Sequence, residues 1–571
     1  MTAEQPHAAV AERYRDTTGR AVLETIRAYG VTTVFGIPGT HNLELYRPLA
    51  ELGIRAVTNR HEQGSGYGAD GWAQQRGLPG VVITTSGPGL QNAMSAVGTA
   101  FCESRPLLVI SPGAAIGDEF ADRGTLHETK DATAMAGAVA EWSRRAHTAA
   151  EAVEAVHDAF ALFATRRPRP VHLEIPLDVL EAPASEEVPA SARAARPAPE
   201  RPAIDADAVA AAAALLAEAD SPVIVAGGGA TGTAAELRAL AERLGAPVLT
   251  TINGKGTLDE HHPLALGANL RLAAAREVAE TADVLLVVGS KLGEAELWVP
   301  RLDARGRVIR VDLEASQLHK NLDAEIGIAG DSRDVLEALL GSLVPLPVAA
   351  DGTATEGARA LPDLVDLRAA IAGETRGIHP STVALAEEIA RTMPADAVVA
   401  GDSSQIVYLG LANVLRQSRP HSLLYTPTYA TLGYGLPAAI GARVALDERG
   451  ERRPVITVIG DGALMFCVNE LATAIEQGLD LTVVCVDNGG YGEIGENQSD
   501  RGIPPIGVEL AQPDWVALAD AFGATGRRAE DWDDIGPQIA AAVAAGGVQL
   551  VHIPHDQVVP AWAGADERSM P

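Results

Sequence analysis

Short, largely apolar runs that end at turns recur along this chain, and parallel β-sheet is what such runs build. Twelve of them fall into three groups of four. The first group is Thr32–Gly36, Ile54–Thr58, Val81–Thr85 and Leu107–Ile110. The second is Pro222–Ala226, Pro247–Thr250, Val284–Val288 and Val308–Val311. The third is Ala397–Ala400, Val455–Ile459, Leu481–Val486 and Gln549–Ile553. A run that is apolar throughout, rather than alternating, needs cover on both faces, and helices supply it in a parallel sheet. Helix-sized segments such as 62–75 and 469–477 lie between the runs. The pattern predicts an α/β chain of three doubly wound parallel-sheet domains. Two stretches without apolar period, Pro183–Pro202 and Pro345–Pro362, read as solvated linkers. They set the domains at 17–182, 203–344 and 363–560, a size that suits a chain of 571 residues.

The net charge is −30 and aromatic residues make up 4%. Such a surface repels phosphate backbones and anionic headgroups, so neither nucleic acid nor membrane is expected as a partner. Cys102, Cys467 and Cys485 are odd in number and widely spaced, which predicts buried free thiols in a reducing compartment. No secretory signal is visible, and the Ala-rich stretch Val209–Ala217 is far too short to span a bilayer. The expectation is a soluble, cytoplasmic protein.

The third group carries the sharpest chemical signal. Strand Val455–Ile459 runs into Gly460-Asp461-Gly462, a helix follows, and strand Leu481–Val486 ends at Asp487-Asn488. In a βαβ unit both strands point the same way, so Asp461 and Asn488 sit at carboxyl ends, where open α/β sheets bind ligands. One charged and one neutral oxygen suit magnesium, which shares its shell with phosphates and water. Gly462 lets the main chain approach a phosphate, and Gly489-Gly490 lets a carbonyl turn inward as a third ligand. In the first group, Glu62 stands at a helix start, with Gly64, Gly66, Gly68 and Gly71 behind it. Glycine costs about 1 kcal/mol inside a helix. That density predicts another backbone, or a ring, packed close.

With Gly-Asp-Gly, 24 residues and then Asp-Asn, the sequence resembles the thiamine diphosphate-dependent enzymes, in the branch of acetolactate synthase, pyruvate oxidase and the 2-oxo acid decarboxylases. Asp487 stands where that family usually has a first Asn. The resemblance covers about residues 17–560 and implies pyrimidine-binding, central Rossmann-like and diphosphate-binding domains, in that order. It implies that Asp461, Asn488 and the carbonyl of Gly490 hold Mg2+. It implies that Glu62, in Arg60-His61-Glu62-Gln63-Gly64, activates the pyrimidine ring of thiamine diphosphate so that the cofactor's own nitrogen takes the C2 proton. Thr431-Leu432-Gly433 resembles the loop under the cofactor, with Leu432 either the bending wedge or ordinary core. Ser403, Ser404 and Gln405, with Gly462 and Ala463, resemble diphosphate contacts. Gly39, Ser86 and Asn92 resemble the pyrimidine surround, and Tyr491-Gly492 the turn after the metal loop. Glu62 and Asp461 would face each other across two subunits, which implies a homodimer or homotetramer.

His127 replaces the Gln of the Phe-Gln-Glu segment usual in acetolactate synthases. It is either a structural hydrogen-bonder or a group that handles the substrate carboxylate or a product proton. Glu493 is a solvated acid, an attractor of a cationic substrate tail, or a proton donor. The segments Gly289–Glu294, Tyr491–Ile494 and Pro505–Val508 look most like decarboxylases for 5-guanidino-2-oxopentanoate. The central domain lacks the Arg-Phe-Asp-Asp segment with which acetolactate synthases help bind FAD, so FAD is doubtful. The expected function is thiamine diphosphate- and magnesium-dependent decarboxylation of a 2-oxo acid, a lyase. The alternative is an acetolactate synthase-type transferase that joins the decarboxylated fragment to a second 2-oxo acid.

Overall fold

The computed structural model describes residues 15–184, 186–343 and 362–560. They form three six-stranded sheets, parallel in every pairing. The first contains β1 (Thr33–Gly36), β2 (Arg55–Thr58), β3 (Gly80–Ile83), β4 (Leu107–Gly113), β5 (Trp142–Arg145) and β6 (Val171–Pro176), in the order β2-β1-β3-β4-β6-β5. The second contains β7 (Pro222–Ala226), β8 (Val248–Thr250), β9 (Ala265–Gly267), β10 (Val284–Val288), β11 (Arg307–Asp312) and β12 (Ile326–Ala329), in the order β12-β11-β10-β7-β8-β9. The third contains β13 (Val398–Gly401), β14 (Leu423–Leu424), β15 (Val455–Gly460), β16 (Leu481–Asp487), β17 (Thr525–Arg528) and β18 (Val548–Pro554), in the order β14-β13-β15-β16-β18-β17. The first and third sheets thus share one winding, and the second has the Rossmann winding. The predicted fold class holds.

The twelve apolar runs all became strands. Six further strands, β5, β6, β9, β12, β14 and β17, carry no such run. Five of these are sheet edges, which need cover on fewer sides and so read as polar or very short. The sixth, β6, buries His172 and Glu174, whose polar atoms are taken up by Ser111, Ser143, Thr133 and Arg145. Burial drives the His172 imidazole down to about 3, so it is a neutral core group.

The stretch Pro183–Pro202 is not a solvated linker throughout. Val188 is buried, and Arg193 folds back to pair with Asp16 and Glu24. Thr17 and Pro183 form an antiparallel bridge. A buried guanidinium needs paired acceptors, and Asp16 just before the helix Thr18–Ala28 and Glu24 within it supply them. Most of the second expected linker lies outside the described residues. All three cysteines are free, but only Cys467 and Cys485 are buried; Cys102 is half-exposed. Among the described residues no helix is long and apolar enough to cross a membrane.

One apolar core runs through the first and third sheets. At its centre, helix α1 (Glu62–Arg76) packs on helix α3 (Gly435–Glu448), with α2 (Pro88–Glu103) beside α1. Of the four predicted glycines, Gly71 admits a backbone and Gly68 a ring, that of Phe35, while Gly64 and Gly66 face the side chains of Glu470 and Ala96. A Cβ on Gly71 would meet Ala438 O, and one on Gly441 would meet Gly68 O. The main chains are in van der Waals contact there, and only glycine fits. Helix α1 starts at His61, whose Nδ1 accepts from Gln63 N–H at 3.1 Å, and ends at Gly77 with φ 67°.

Candidate active site

The residues singled out in the sequence assemble at the carboxyl ends of the first and third sheets, in two groups. On the first sheet, Glu62 opens α1, buried to 7% exposure. Its Oε2 accepts from Asn92 Nδ2 at 2.9 Å, and a Cβ on Gly89 would lie 3.1 Å from its other oxygen. Gly39 N–H donates to Asn42 Oδ1 at 2.7 Å, and the turn packs on Thr85. Ser86 Oγ lies 2.6 Å from His41 Nδ1 and 3.3 Å from His127 Nδ1. The two imidazoles meet edge to face at 5.1 Å. His127 has φ 60°, and the close approach of its carbonyl is what requires glycine at Gly87. Burial and the charge of His127 hold the His41 imidazole below the ordinary histidine value. His41 was not singled out in the sequence; nothing local distinguishes it.

On the third sheet, a cavity of about 720 Å³ is lined by Ser403, Ser404, Gln405, Leu432, Asp461, Gly462, Ala463, Asn488, Gly490, Tyr491, Gly492 and Glu493. Glu62, Asn92, Ser86, His127, Gly39 and Thr431 are not among its lining residues. Thr431 lies beneath it, its Oγ1 2.7 Å from Tyr67 Oη, while Leu432 O accepts from Gln63 Nε2 at 3.2 Å. The bent loop under the cavity therefore rests on α1, the helix that begins with Glu62. Leu432 both packs against the core and lines the cavity.

Three oxygens converge at the strand ends. Asn488 Oδ1 lies 3.1 Å from Asp461 Oδ1 and 3.0 Å from Gly490 O, with no hydrogen between them unless the amide is turned over. Adjacent ligands of an octahedron of radius about 2.1 Å stand roughly 3 Å apart. Burial and the neighbouring Asp487 push the Asp461 carboxyl up to about 6. Asp487, the departure from the family pattern, does not enter this group. Its oxygens accept from Gly489 N–H and Trp515 Nε1, and Oδ2 lies 3.0 Å from His552 Nε2. It is a brace for the turn, which is why replacing the usual Asn there leaves the oxygens in place.

Further residues support the cavity. Asp402 is fully buried and accepts from the N–H groups of Ser403, Gly433 and Gly435, tying two cavity loops together. Burial pushes its carboxyl up to about 6. Gln512 donates to Asp461 Oδ2 at 2.6 Å. Tyr408, on a π-helical turn (Ile406–Leu411), donates to Glu493 Oε2 at 3.0 Å, and Gln405 Nε2 reaches Glu496 at 3.0 Å. A π turn has no reliable sequence mark, and such turns are frequent at functional sites.

Three family profiles fit this layout. Residues 16–144 match the thiamine pyrophosphate enzyme N-terminal TPP binding domain, 209–339 the central domain, and 407–553 the C-terminal TPP binding domain. The chain belongs to the thiamine pyrophosphate enzyme family. It is similar to the probable 2-ketoarginine decarboxylase of Pseudomonas aeruginosa, 40% identical over 94% of each chain. It is 30% identical to the probable acetolactate synthase large subunit of Methanocaldococcus jannaschii, over 93% of this chain and 91% of that one. Among solved structures, an X-ray structure from Mycobacterium smegmatis, assigned as a thiamin diphosphate-dependent enzyme, superposes with a TM-score of 0.78 at 25% identity. It covers 95% of this chain and 100% of that one. This thiamine pyrophosphate enzyme is thus of the decarboxylase and acetolactate synthase type.

Proposed function

We propose that this enzyme decarboxylates a 2-oxo acid with a cationic side chain, 5-guanidino-2-oxopentanoate, with thiamine diphosphate and magnesium. One observation carries the substrate. Glu493 and Glu496 stand one helical turn apart on α5 (Gly492–Asp500) at the cavity, and neither is bridged to a Lys or Arg among the described residues. Tyr408 and Gln405 hold them in place. Glu496 also lies 3.2 Å from His379 Nε2, whereas Glu493 is held by neutral groups, and a guanidinium takes carboxylates by paired N–H bonds. The relative named for 2-ketoarginine, the same acid, supports this reading.

The donor set fits the cofactor pair. The three converging oxygens at Asp461, Asn488 and Gly490 suit an octahedral magnesium ion, whose charge would draw the Asp461 carboxyl back down. Ser403 Oγ is buried without a hydrogen-bond partner and is suited to a diphosphate oxygen, with Ser404, Gln405, Gly462, Ala463, Tyr491 and Gly492 around it. When bound, thiamine diphosphate supplies a carbon nucleophile for the ketone and a sink for the electrons left as CO2 departs. Glu62, fixed by Asn92, holds a proton at the pyrimidine ring nitrogen, with Gly39 and Ser86 alongside. Leu432, with Thr431 beneath it, would form the floor under the cofactor. The Ser86, His41 and His127 cluster would supply the proton that the aldehyde product takes up. The cavity's apolar walls limit water around a carboxylate about to leave.

Glu62 and Asp461 belong to different groups, so we read the working form as a homodimer or homotetramer in which one copy's first domain faces its partner's third. Exposed apolar side chains near each group, Leu43 and Leu126 on one and Met465 and Phe466 on the other, support that reading. The domain limits 17–182, 203–344 and 363–560, and a cytoplasmic location, belong to the same proposal. The acetolactate synthase relatives favour a second reading, carboligation to a second 2-oxo acid. Purified enzyme with thiamine diphosphate, magnesium and a panel of 2-oxo acids separates the two. Equal amounts of CO2 and 4-guanidinobutanal are expected from the guanidino acid. Acetolactate from pyruvate, with no turnover of the guanidino acid, would replace the first reading by the second.

A further inference from the structure

Arg271 lines the cavity from the central domain, beside Ile252, Ala295 and Trp298. It is 8% exposed, and its guanidinium stacks on Trp298 with Cζ 4.4 Å from the ring centroid. Its Nε and Nη2 are buried and have no hydrogen-bond partner. Among the described residues it is the one arginine that leaves a terminal guanidinium nitrogen so placed. Other buried arginines are satisfied at their ends: Arg310 by the carbonyls of Ser290, Lys320 and Leu322, Arg443 by those of Glu451 and Arg453.

Burial draws Arg271 down to about 10, which leaves it a cation at neutral pH. Its counter-charge is weak. Glu296 acts on it only through space, accepting instead from Ile252 N–H at 3.0 Å, and burial pushes that carboxyl up to about 7. A buried cation without a partner is costly, and proteins keep one where a ligand completes it. Planar N–H groups in a fixed fork match a carboxylate.

We propose that Arg271 binds the carboxylate of the 2-oxo acid substrate. Arg271 and Glu493 thus give one cavity both a cation and an anion, the latter held by Tyr408 at 3.0 Å. A substrate with an acid at one end and a cation at the other fits that polarity, a point that rests on the function proposed above. The contact with the carboxylate does not rest on the cationic tail. The carboxylate keeps its charge until the bond to it breaks, so the contact is made about equally in the bound substrate and on the way to the transition state, and its loss shows in KM rather than kcat.

The test uses the holoenzyme and four unreactive probes: 5-guanidinopentanoate, pentanoate and the primary amide of each. Calorimetry should find each acid at least about tenfold tighter than its amide, the scale of a charge-assisted pair. Arg271→Gln should erase that preference and raise KM about tenfold with kcat nearly unchanged, while Arg271→Lys keeps part of both. Arg271→Met should melt no lower than the wild type, because no carboxylate loses a bonded partner. If Arg271→Gln keeps the acid preference, the proposal is overturned. If the guanidino acid binds no better than pentanoate but both lose their acid preference in Arg271→Gln, Arg271 stands and the cationic-tail reading falls.

Discussion

Glu470 Oε1 accepts the backbone N–H of His61 at 3.1 Å, so a carboxylate of the third domain holds the residue just before Glu62. The same side chain accepts from Arg60 N–H, Asn59 Nδ2 and Thr473 Oγ1. It stands on helix α4 (Glu470–Glu476), one short turn beyond the Asp461 segment. Glu470→Ala strands several buried donors, at about 1–3 kcal/mol each. We expect a stability loss of about 2–4 kcal/mol in urea unfolding, with Glu470→Gln intermediate. A loss below about 0.5 kcal/mol would show that the cap is not needed.

The contact of α1 with α3 has its own test. Gly71→Ala would place a Cβ against Ala438 O and should cost about 1–3 kcal/mol, although alanine favours helices. Gly373→Ala, in a helix with open space around it, should instead gain about 0.5–1 kcal/mol. Equal effects at the two sites in thermal melts would refute the close-contact account.

Glu62→Gln keeps the hydrogen-bond geometry toward Asn92 but removes the charge. Thiamine diphosphate should still bind, while exchange of its C2 proton slows by ~10²-fold or more. Quenched exchange followed by proton NMR measures this, and a wild-type rate would remove Glu62 from the proton path.

Asp402 sets a pH dependence whose sign is unusual for a carboxylate. Burial raises it from 3.8 to about 6, so the folded chain binds the proton more tightly than the unfolded chain. Its contribution is fully present below pH 4 and is lost as pH rises through about 6. The full span is about 3 kcal/mol. Unfolding curves of the cofactor-free protein at pH 4 and pH 7 should differ by that much less in Asp402→Asn. Parallel pH profiles in the two proteins would contradict it.

Glu493→Gln should reduce kcat/KM for 5-guanidino-2-oxopentanoate about tenfold or more and leave pyruvate nearly untouched. Tyr408→Phe, which frees the carboxylate from its donor, should act in the same direction more weakly. Equal losses on both substrates would assign Glu493 to the chemistry rather than to recognition.

Some of this was fixed by local sequence. An unbroken apolar run such as Val455–Gly460 has to be buried on both faces, so the three α/β domains followed from composition along the chain. The positions of Asp461 and Asn488 followed from strand direction alone, and the glycine face of α1 announced a neighbouring backbone before that neighbour was known. Tertiary structure decided the rest. Edge strands such as Thr525–Arg528 are half-solvated and carry no apolar mark. Asp402, Glu470, His41 and Arg271 look like ordinary polar residues in sequence. Their roles come from burial and from partners that are distant in the chain, and a free energy of burial exists only once the surrounding chain has closed around the charge.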